Sequence, residues 1–299
     1  MPAPLPNDLL VLRRGGLGDT LLLLPMLRAL RRQHPHARLY CAGVREFVEI
    51  LAAYGACDGA LSSEALGLWA LGLDSAAGAA ARQRLSGFQR VFADGPLRLD
   101  GDPHAARAGP ELLVFDPRQV APGVPFGAQL ARQVGLAVDL PADAQLLPAG
   151  PRDRAAPVVL APGSGGRAKC WPRARWLELA ERLAADGPVA VVVGPTELEG
   201  DDPRRWAWPA GITFLADRTP LELARALAPS RAFVGNDSGP THLAAMLGVP
   251  TVAVFGPTDP SVWAPVGEHV RVVAGGPDFT VAPVAVVAAA CAGLLRGWP

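Results

Sequence analysis

Residues 232–255 read AFVGNDSGPTHLAAMLGVPTVAVF, and this stretch decides the fold. Ala232 to Gly235 and Thr251 to Phe255 are short apolar runs without polar alternation, the pattern of strands buried on both faces. Between them Pro240 to Leu247 has helical character and is entered through the polar turn Asn236-Asp237-Ser238-Gly239. A strand, a helix and a second strand in that order build a parallel sheet covered by helices.

The same alternation extends outward. In the second half, strands are also expected at Val158 to Ala161, Val189 to Val193, Thr213 to Leu215 and Val270 to Val273, with helices at Arg173 to Ala185 and Leu221 to Leu227. In the first half, strands are expected near Leu9 to Arg13, Arg38 to Ala42, Arg90 to Ala93 and Leu112 to Phe115. Helices are expected at Asp19 to Gln33, Arg45 to Tyr54 and Phe126 to Val134, while Ser62 to Ser86 is rich in alanine and poorly punctuated. Pro141 to Pro157 carries Pro141, Pro148, Pro151, Pro157 and Gly150 without periodicity, the composition of a linker. A length of 299 residues suits two domains of roughly 150 residues each. The expectation is an α/β chain with Rossmann-like domains at 1–150 and 151–299 and a cleft between the carboxyl ends of their sheets.

Composition narrows the function classes. Lysine plus arginine and aspartate plus glutamate both number 28, leaving no global field for counterion-driven binding, which argues against a nucleic-acid partner. Cys41, Cys57, Cys170 and Cys291 show no paired metal spacing, and no charged segment with an apolar run and cleavage site opens the chain, so a cytoplasmic protein with reduced thiols and no bound metal is expected. The longest apolar stretch, Phe279 to Leu295, is interrupted by Pro283 and falls short of the roughly 20 residues that cross a bilayer.

Three constellations sit at strand-to-helix turns. The first is Arg13-Arg14-Gly15-Gly16-Leu17-Gly18-Asp19-Thr20, which has neither the Lys-Ser/Thr of a Walker loop nor the G-x-G-x-x-G spacing of a dinucleotide site. Gly18 would let the backbone turn closely; Asp19 either caps the helix or accepts a proton from an attacking hydroxyl. The second is Gly163-Ser164-Gly165-Gly166-Arg167-Ala168-Lys169-Cys170-Trp171-Pro172. Lys169 is the single lysine of a chain with 27 arginines. An ammonium is a compact charge able to follow a moving phosphate, where a guanidinium is a planar fork suited to fixed partners. Backbone amides of Ser164 to Gly166 can hold phosphate oxygens as a nest does. The third is the turn through Asn236 to His242. There Asp237 or Ser238 is an N-cap and His242 a buried imidazole, or else Ser238 and Gly239 offer amides at the positive end of a helix, a ready anion site. With Lys169 that tip would make a metal-free clamp for a diphosphate.

The runs GDTLLLLPMLRALRRQHP, APGSGGRAKCWP, VVVGPTELE and FVGNDSGPTHLAAMLGVPTVAVFGPTDP resemble glycosyltransferase family 9, the heptosyltransferases of lipopolysaccharide inner core. The likeness lies in most of the second half and about the first fifty residues. It implies a GT-B architecture, two Rossmann-like domains facing each other across a cleft, with an N-terminal acceptor domain and a C-terminal nucleotide-sugar domain. It also implies an inverting, metal-independent transfer, with ADP-heptose as donor substrate rather than any cofactor, and a saccharide or glycolipid acceptor. Asp19 then matches the catalytic base, with Arg14 and Gly18 beside it on the acceptor side. Lys169 matches the lysine on the donor phosphates, Asp237 the aspartate near the donor sugar, and Ser238 and Gly239 the phosphate-binding turn. His242 would orient the donor or contact phosphate. Ser164 and Gly165 fall in the phosphate loop, where family members often carry adjacent hydroxyl residues, so backbone would replace one side-chain contact here. Glu197, or alternatively Glu199, matches a ribose-binding carboxylate, and Asp217 to Leu221, including Thr219, would lie near the base.

Residues 1–45 hold Arg13, Arg14, Arg28, Arg31, Arg32, Arg38 and Arg45 against Asp8 and Asp19 alone. These cations either serve as helix-dipole partners or form a face for a phosphorylated glycolipid or the anionic inner membrane surface. Two other readings stay open: a non-catalytic nucleotide-sugar binder of the same fold, and a related two-lobed enzyme such as a nucleotide-sugar epimerase or a dinucleotide-dependent oxidoreductase.

Overall fold

The computed structural model describes residues 7–95, 110–198 and 201–297. The chain divides into two compact units, Met1–Ala121 with Phe126–Asp139, and Pro122–Pro125 with Leu140–Pro299.

In the first unit β1 (Leu9–Leu12), β2 (Leu39–Gly43), β3 (Gly59–Ser62), β4 (Arg90–Ala93) and β5 (Glu111–Val114) form a parallel sheet in the order β3-β2-β1-β4-β5. In the second, β6 (Val158–Ala161), β7 (Val189–Val193), β8 (Thr213–Ala216), β9 (Ala232–Asn236), β10 (Thr251–Phe255) and β11 (Val270–Ala274) form a parallel sheet in the order β11-β10-β9-β6-β7-β8. Both are the doubly wound order of the Rossmann fold. The winding reverses between β1 and β4 and again between β6 and β9, and ligands of such sheets bind outside the carboxyl ends of the strands at that switch point. Register fixes what meets there: Leu12 lies opposite Ala93, and Ala161 opposite Gly235.

The strands form where the sequence is apolar without alternation because both faces are covered. Every residue of β1, β2, β6, β7, β9 and β10 is buried. The second unit's core adds Trp171 and Trp176, whose rings meet edge to face at 5.1 Å.

Several elements differ from expectation for identifiable reasons. The helix expected over Asp19 to Gln33 is two, Leu17–Leu21 and Leu24–Gln33, with Pro25 in the first turn of the second. Proline lacks an N–H and its ring clashes with the carbonyl four residues back, so a helix restarts at Pro25 rather than running through it. The unpunctuated segment holds a helix, Ala76–Leu85, capped by Ser75, whose hydroxyl accepts the Gly78 N–H at 3.2 Å. The apolar C-terminal stretch becomes a helix from Val284 to Gly297, just past Pro283. It buries Val284, Val287, Cys291 and Leu294 along one stripe, each worth about 1.5–3 kcal/mol for a large apolar side chain. Among the described residues no helix is long and apolar enough to cross a membrane.

The proline-rich Pro141 to Pro157 segment is tied to the second unit rather than loose. Leu146 and Leu147 donate backbone N–H groups to the Met246 carbonyl at 2.7 and 3.1 Å, and Arg152 donates to the carbonyls of Gly248, at 2.5 Å, and Ala228. Gly248 is left-handed with φ 70°, and a Cβ there would stand 2.5 Å from the Pro148 carbonyl oxygen. These tethers join backbone groups far apart in sequence, so composition alone reads the segment as a spacer.

Candidate functional site

At the first unit's switch point β1 is followed by Arg13 and Arg14, and β4 by Asp94. Asp94 is buried and gathers both arginines: Arg13 Nη1 donates to Oδ2 at 3.2 Å, Arg14 N to Oδ2 at 2.6 Å and Arg14 Nε to Oδ1 at 2.9 Å. Arg13 reaches onward, its Nη2 donating to Asp19 Oδ1 at 2.6 Å. Asp19 Oδ2 accepts the Gly16 N–H at 3.0 Å, satisfying the N-cap backbone at the start of helix Leu17–Leu21. The capping role of Asp19 is thus real, and the same carboxylate is 39% exposed, each oxygen accepting one bond among the described residues. The chain reversal belongs to Gly15, not Gly18. Gly15 has φ 150° and a Cβ there would stand 2.7 Å from Asp19 Oδ2, whereas Gly18 lies inside the helix. Beside Arg14, a cavity of about 390 Å³ is lined by Gly95, Val114, Asp116, Arg118, Gln119 and Gln133.

At the second unit's switch point β6 runs into the lysine loop and β9 into Asp237. Lys169 Nζ donates to Asp237 Oδ2 at 2.8 Å, the ammonium 37% exposed and the carboxylate nearly buried. Thr258 donates its hydroxyl to the same oxygen at 2.8 Å. Ser164 gives its single hydroxyl proton to the Asp237 carbonyl at 2.7 Å, while Gly165 is exposed with open space around it. Helix Gly239–Met246 starts directly after Ser238. The N–H groups of Thr241 and His242 both return to the Ser238 carbonyl, and those of Ser238 and Gly239 meet no protein acceptor among the described residues. Two open amides at the positive end of a helix and the partly exposed Lys169 ammonium therefore lie on either side of Asp237.

The remaining expected residues fall as follows. Glu197 bridges the ends of β6 and β7: it accepts the Gly194 N–H at 2.7 Å, and a Cβ on Gly163 would stand 1.6 Å from its Oε1. Glu199 lies outside the described residues. His242 is buried in the first turn of helix Gly239–Met246. Thr219 caps helix Pro220–Leu227, exchanging bonds with Glu222, whose carboxyl is held below the usual carboxylate range by the Thr219 N–H and hydroxyl. It follows β8, the outer strand of the sheet, two strands from β6. The arginines of residues 1–45 are largely spent. Arg13, Arg14, Arg31, Arg38 and Arg45 each pair with a carboxylate, four of them with acids beyond residue 45. The local excess in sequence is not an excess in space.

Sequence reasoning missed Asp94, Asn236 and Thr258. A charged residue directly after an apolar strand was the available signal for Asp94; that it meets Arg13 depends on β4 pairing with β1, which no local pattern encodes.

The model of the family described as "Glycosyltransferase family 9 (heptosyltransferase)" matches residues 77–280, so it takes in the lysine loop and the Asp237 turn and leaves out Asp19. Lipopolysaccharide heptosyltransferase 1 of Pseudomonas aeruginosa is 40% identical over 118 residues, 38% of this chain and 32% of that protein, so the chain aligns with about a third of its relative's length. Among solved structures, Escherichia coli ADP-heptose lps heptosyltransferase II aligns with 97% of this chain and 99% of its own at a TM-score of 0.70 and 20% identity. An Escherichia coli heptosyltransferase with ADP aligns with 96% and 99% at a TM-score of 0.68 and 20% identity. These likenesses show a shared GT-B fold. With the family match spanning more than half of its length, the chain belongs to glycosyltransferase family 9, the heptosyltransferase family.

Proposed function

We propose that this chain is an inverting, metal-independent glycosyltransferase that moves heptose from an ADP-activated donor to a saccharide or glycolipid acceptor. The observation that carries the reading is the Lys169–Asp237 pair at the open tip of helix Gly239–Met246, at the switch point of its sheet. The donor diphosphate takes the place that Asp237 now holds beside the ammonium, and the amides of Ser238 and Gly239 receive its oxygens. As the acceptor oxygen bonds to the anomeric carbon, the bond from that carbon to the diphosphate breaks, and the leaving charge is met by Lys169 and the helix tip. No metal ion is needed where those groups supply the positive charge. Asp19, its carboxylate partly exposed, takes the acceptor's hydroxyl proton. Glu197 accepts from the ribose hydroxyls. The acceptor lies beside Arg14, where the cavity between Gly95 and Gln133 has both polar and apolar walls. A glycolipid acceptor places the work in the cytoplasm at the inner membrane surface.

The test is calorimetric titration with a panel of nucleotide sugars, followed by product analysis with whichever donor binds. ADP-heptose is expected to bind and to yield a product of inverted anomeric configuration; retention of configuration, or binding restricted to other nucleotides, would overturn the reading. One observation favours a second reading, a non-catalytic nucleotide-sugar binder: both oxygens of Asp19 already carry structural bonds. Binding of the donor without turnover on any acceptor would decide for it.

A further inference from the structure

Asn236 closes β9 and is wholly buried. Its carboxamide is used at both ends. Oδ1 accepts the backbone N–H of Trp171 at 3.0 Å, and Nδ2 donates to the Pro162 carbonyl at 2.7 Å, with a longer contact to that of Gly163 at 3.5 Å. Pro162 and Trp171 are the two ends of the loop that carries Ser164 and Lys169. One side chain therefore clasps both ends of the lysine loop against the strand whose next residue is Asp237.

The chemistry of the clasp is specific. A neutral carboxamide presents one accepting and one donating face, and the site supplies one N–H and one carbonyl to match. The far end of the loop is anchored again, since the Trp171 ring is buried and its Nε1 donates to the Ala282 carbonyl at 2.9 Å. The middle of the loop, by contrast, is open: Gly165, Arg167 and Ala168 are exposed. Between the ends Arg167–Lys169 make a short 3-10 turn, so Lys169 stands on a segment whose fixed ends decide where its ammonium arrives. Neighbouring bonds tie the same point into the helix tip, as Thr241 Oγ1 donates to the Asn236 carbonyl at 2.6 Å.

We propose that Asn236 is a positioning residue for the diphosphate: it acts through Lys169, holding the loop so that the ammonium reaches the anion position at the tip of helix Gly239–Met246. This rests on the diphosphate reading above and adds to it a residue that touches neither substrate nor reacting atoms. Because the effect passes through the ammonium, losing Asn236 costs diphosphate affinity only while Lys169 is present.

The experiment is a double-mutant cycle on the full chain, with ADP as probe and adenosine as control, in the wild type, Asn236→Ala, Lys169→Ala and the double variant. Asn236→Ala is expected to weaken ADP about tenfold while leaving adenosine unchanged, and to weaken it less than about twofold when Lys169 is already alanine. The same loss in both backgrounds, or a parallel loss of adenosine, would show a structural role only and overturn the proposal. If Asn236→Ala does not fold, Asn236→Ser carries the same cycle, with thermal unfolding recorded for each protein. Wild-type protein that takes up neither ADP nor inorganic pyrophosphate would sink the diphosphate reading itself. Uncoupled losses in a wild type that binds ADP would sink the role of Asn236 alone.

Discussion

Asp19 and Lys169 each stand beside an opposite charge, and the partner decides what a substitution removes. Asp19 has one oxygen on the Gly16 N–H and the other on Arg13. An amide of the same size retains an oxygen for the cap and loses the ability to take a proton. Asp19→Asn is therefore expected to keep nucleotide binding and to lose at least about 100-fold in turnover, the usual scale for a general base. Steady-state kinetics with calorimetry in parallel checks it, and near-normal transfer by that variant removes Asp19 from the chemistry. Lys169 meets Asp237 at 2.8 Å, so binding a diphosphate would exchange one anionic partner for another. For Lys169→Ala we expect ADP affinity to fall by about 10- to 100-fold, the scale of one charge-assisted hydrogen bond, with adenosine affinity little changed. Comparable loss for both ligands would make the lysine structural.

At the scale of elements, the crossing of β9 and helix Gly239–Met246 is closed by a glycine. A Cβ on Gly235 would lie 2.4 Å from Thr241 Oγ1, 2.6 Å from the Phe233 ring and 3.3 Å from Ala161 Cβ. Thr241 cannot easily yield, because its hydroxyl is bonded to the Asn236 carbonyl. Gly235→Ala is expected to destabilise the second unit by about 1–3 kcal/mol, as overpacking of a dense core does. Urea unfolding would show this as a lower midpoint at unchanged slope, and an alanine variant as stable as the parent would show that the helix start has room to move. Most elements were legible from their apolar runs. β6, β7 and β10 span the expected residues, since a strand covered on both faces must be apolar at every position. β3 was not legible, because Gly-Ala-Leu-Ser carries little apolar signal and owes its strand to pairing with β2.

For the whole molecule, the four thiols report on how completely each unit closes. Burial pushes Cys57 up to about 12, Cys291 up to about 11 and Cys41 well above its ordinary value. Cys170, next to Lys169, is only half-buried, and its thiol is raised less far. The folded protein is expected to show one thiol reactive toward a small disulfide reagent at neutral pH and four in denaturant, with Cys170→Ser abolishing the native reaction and ADP slowing it. More than one fast thiol in the native state would show that a unit opens. By itself the sequence determined the alternation of strands and helices, the glycine-rich turns and the residue types placed at them, because hydrophobic period and backbone freedom are local properties of the chain. Only the tertiary structure decided that Asp94 meets Arg13, that Asn236 meets both ends of the lysine loop and that Arg31 meets Asp58. Those meetings follow from strand order, and strand order is set by burying surfaces far apart in sequence, which no local pattern records.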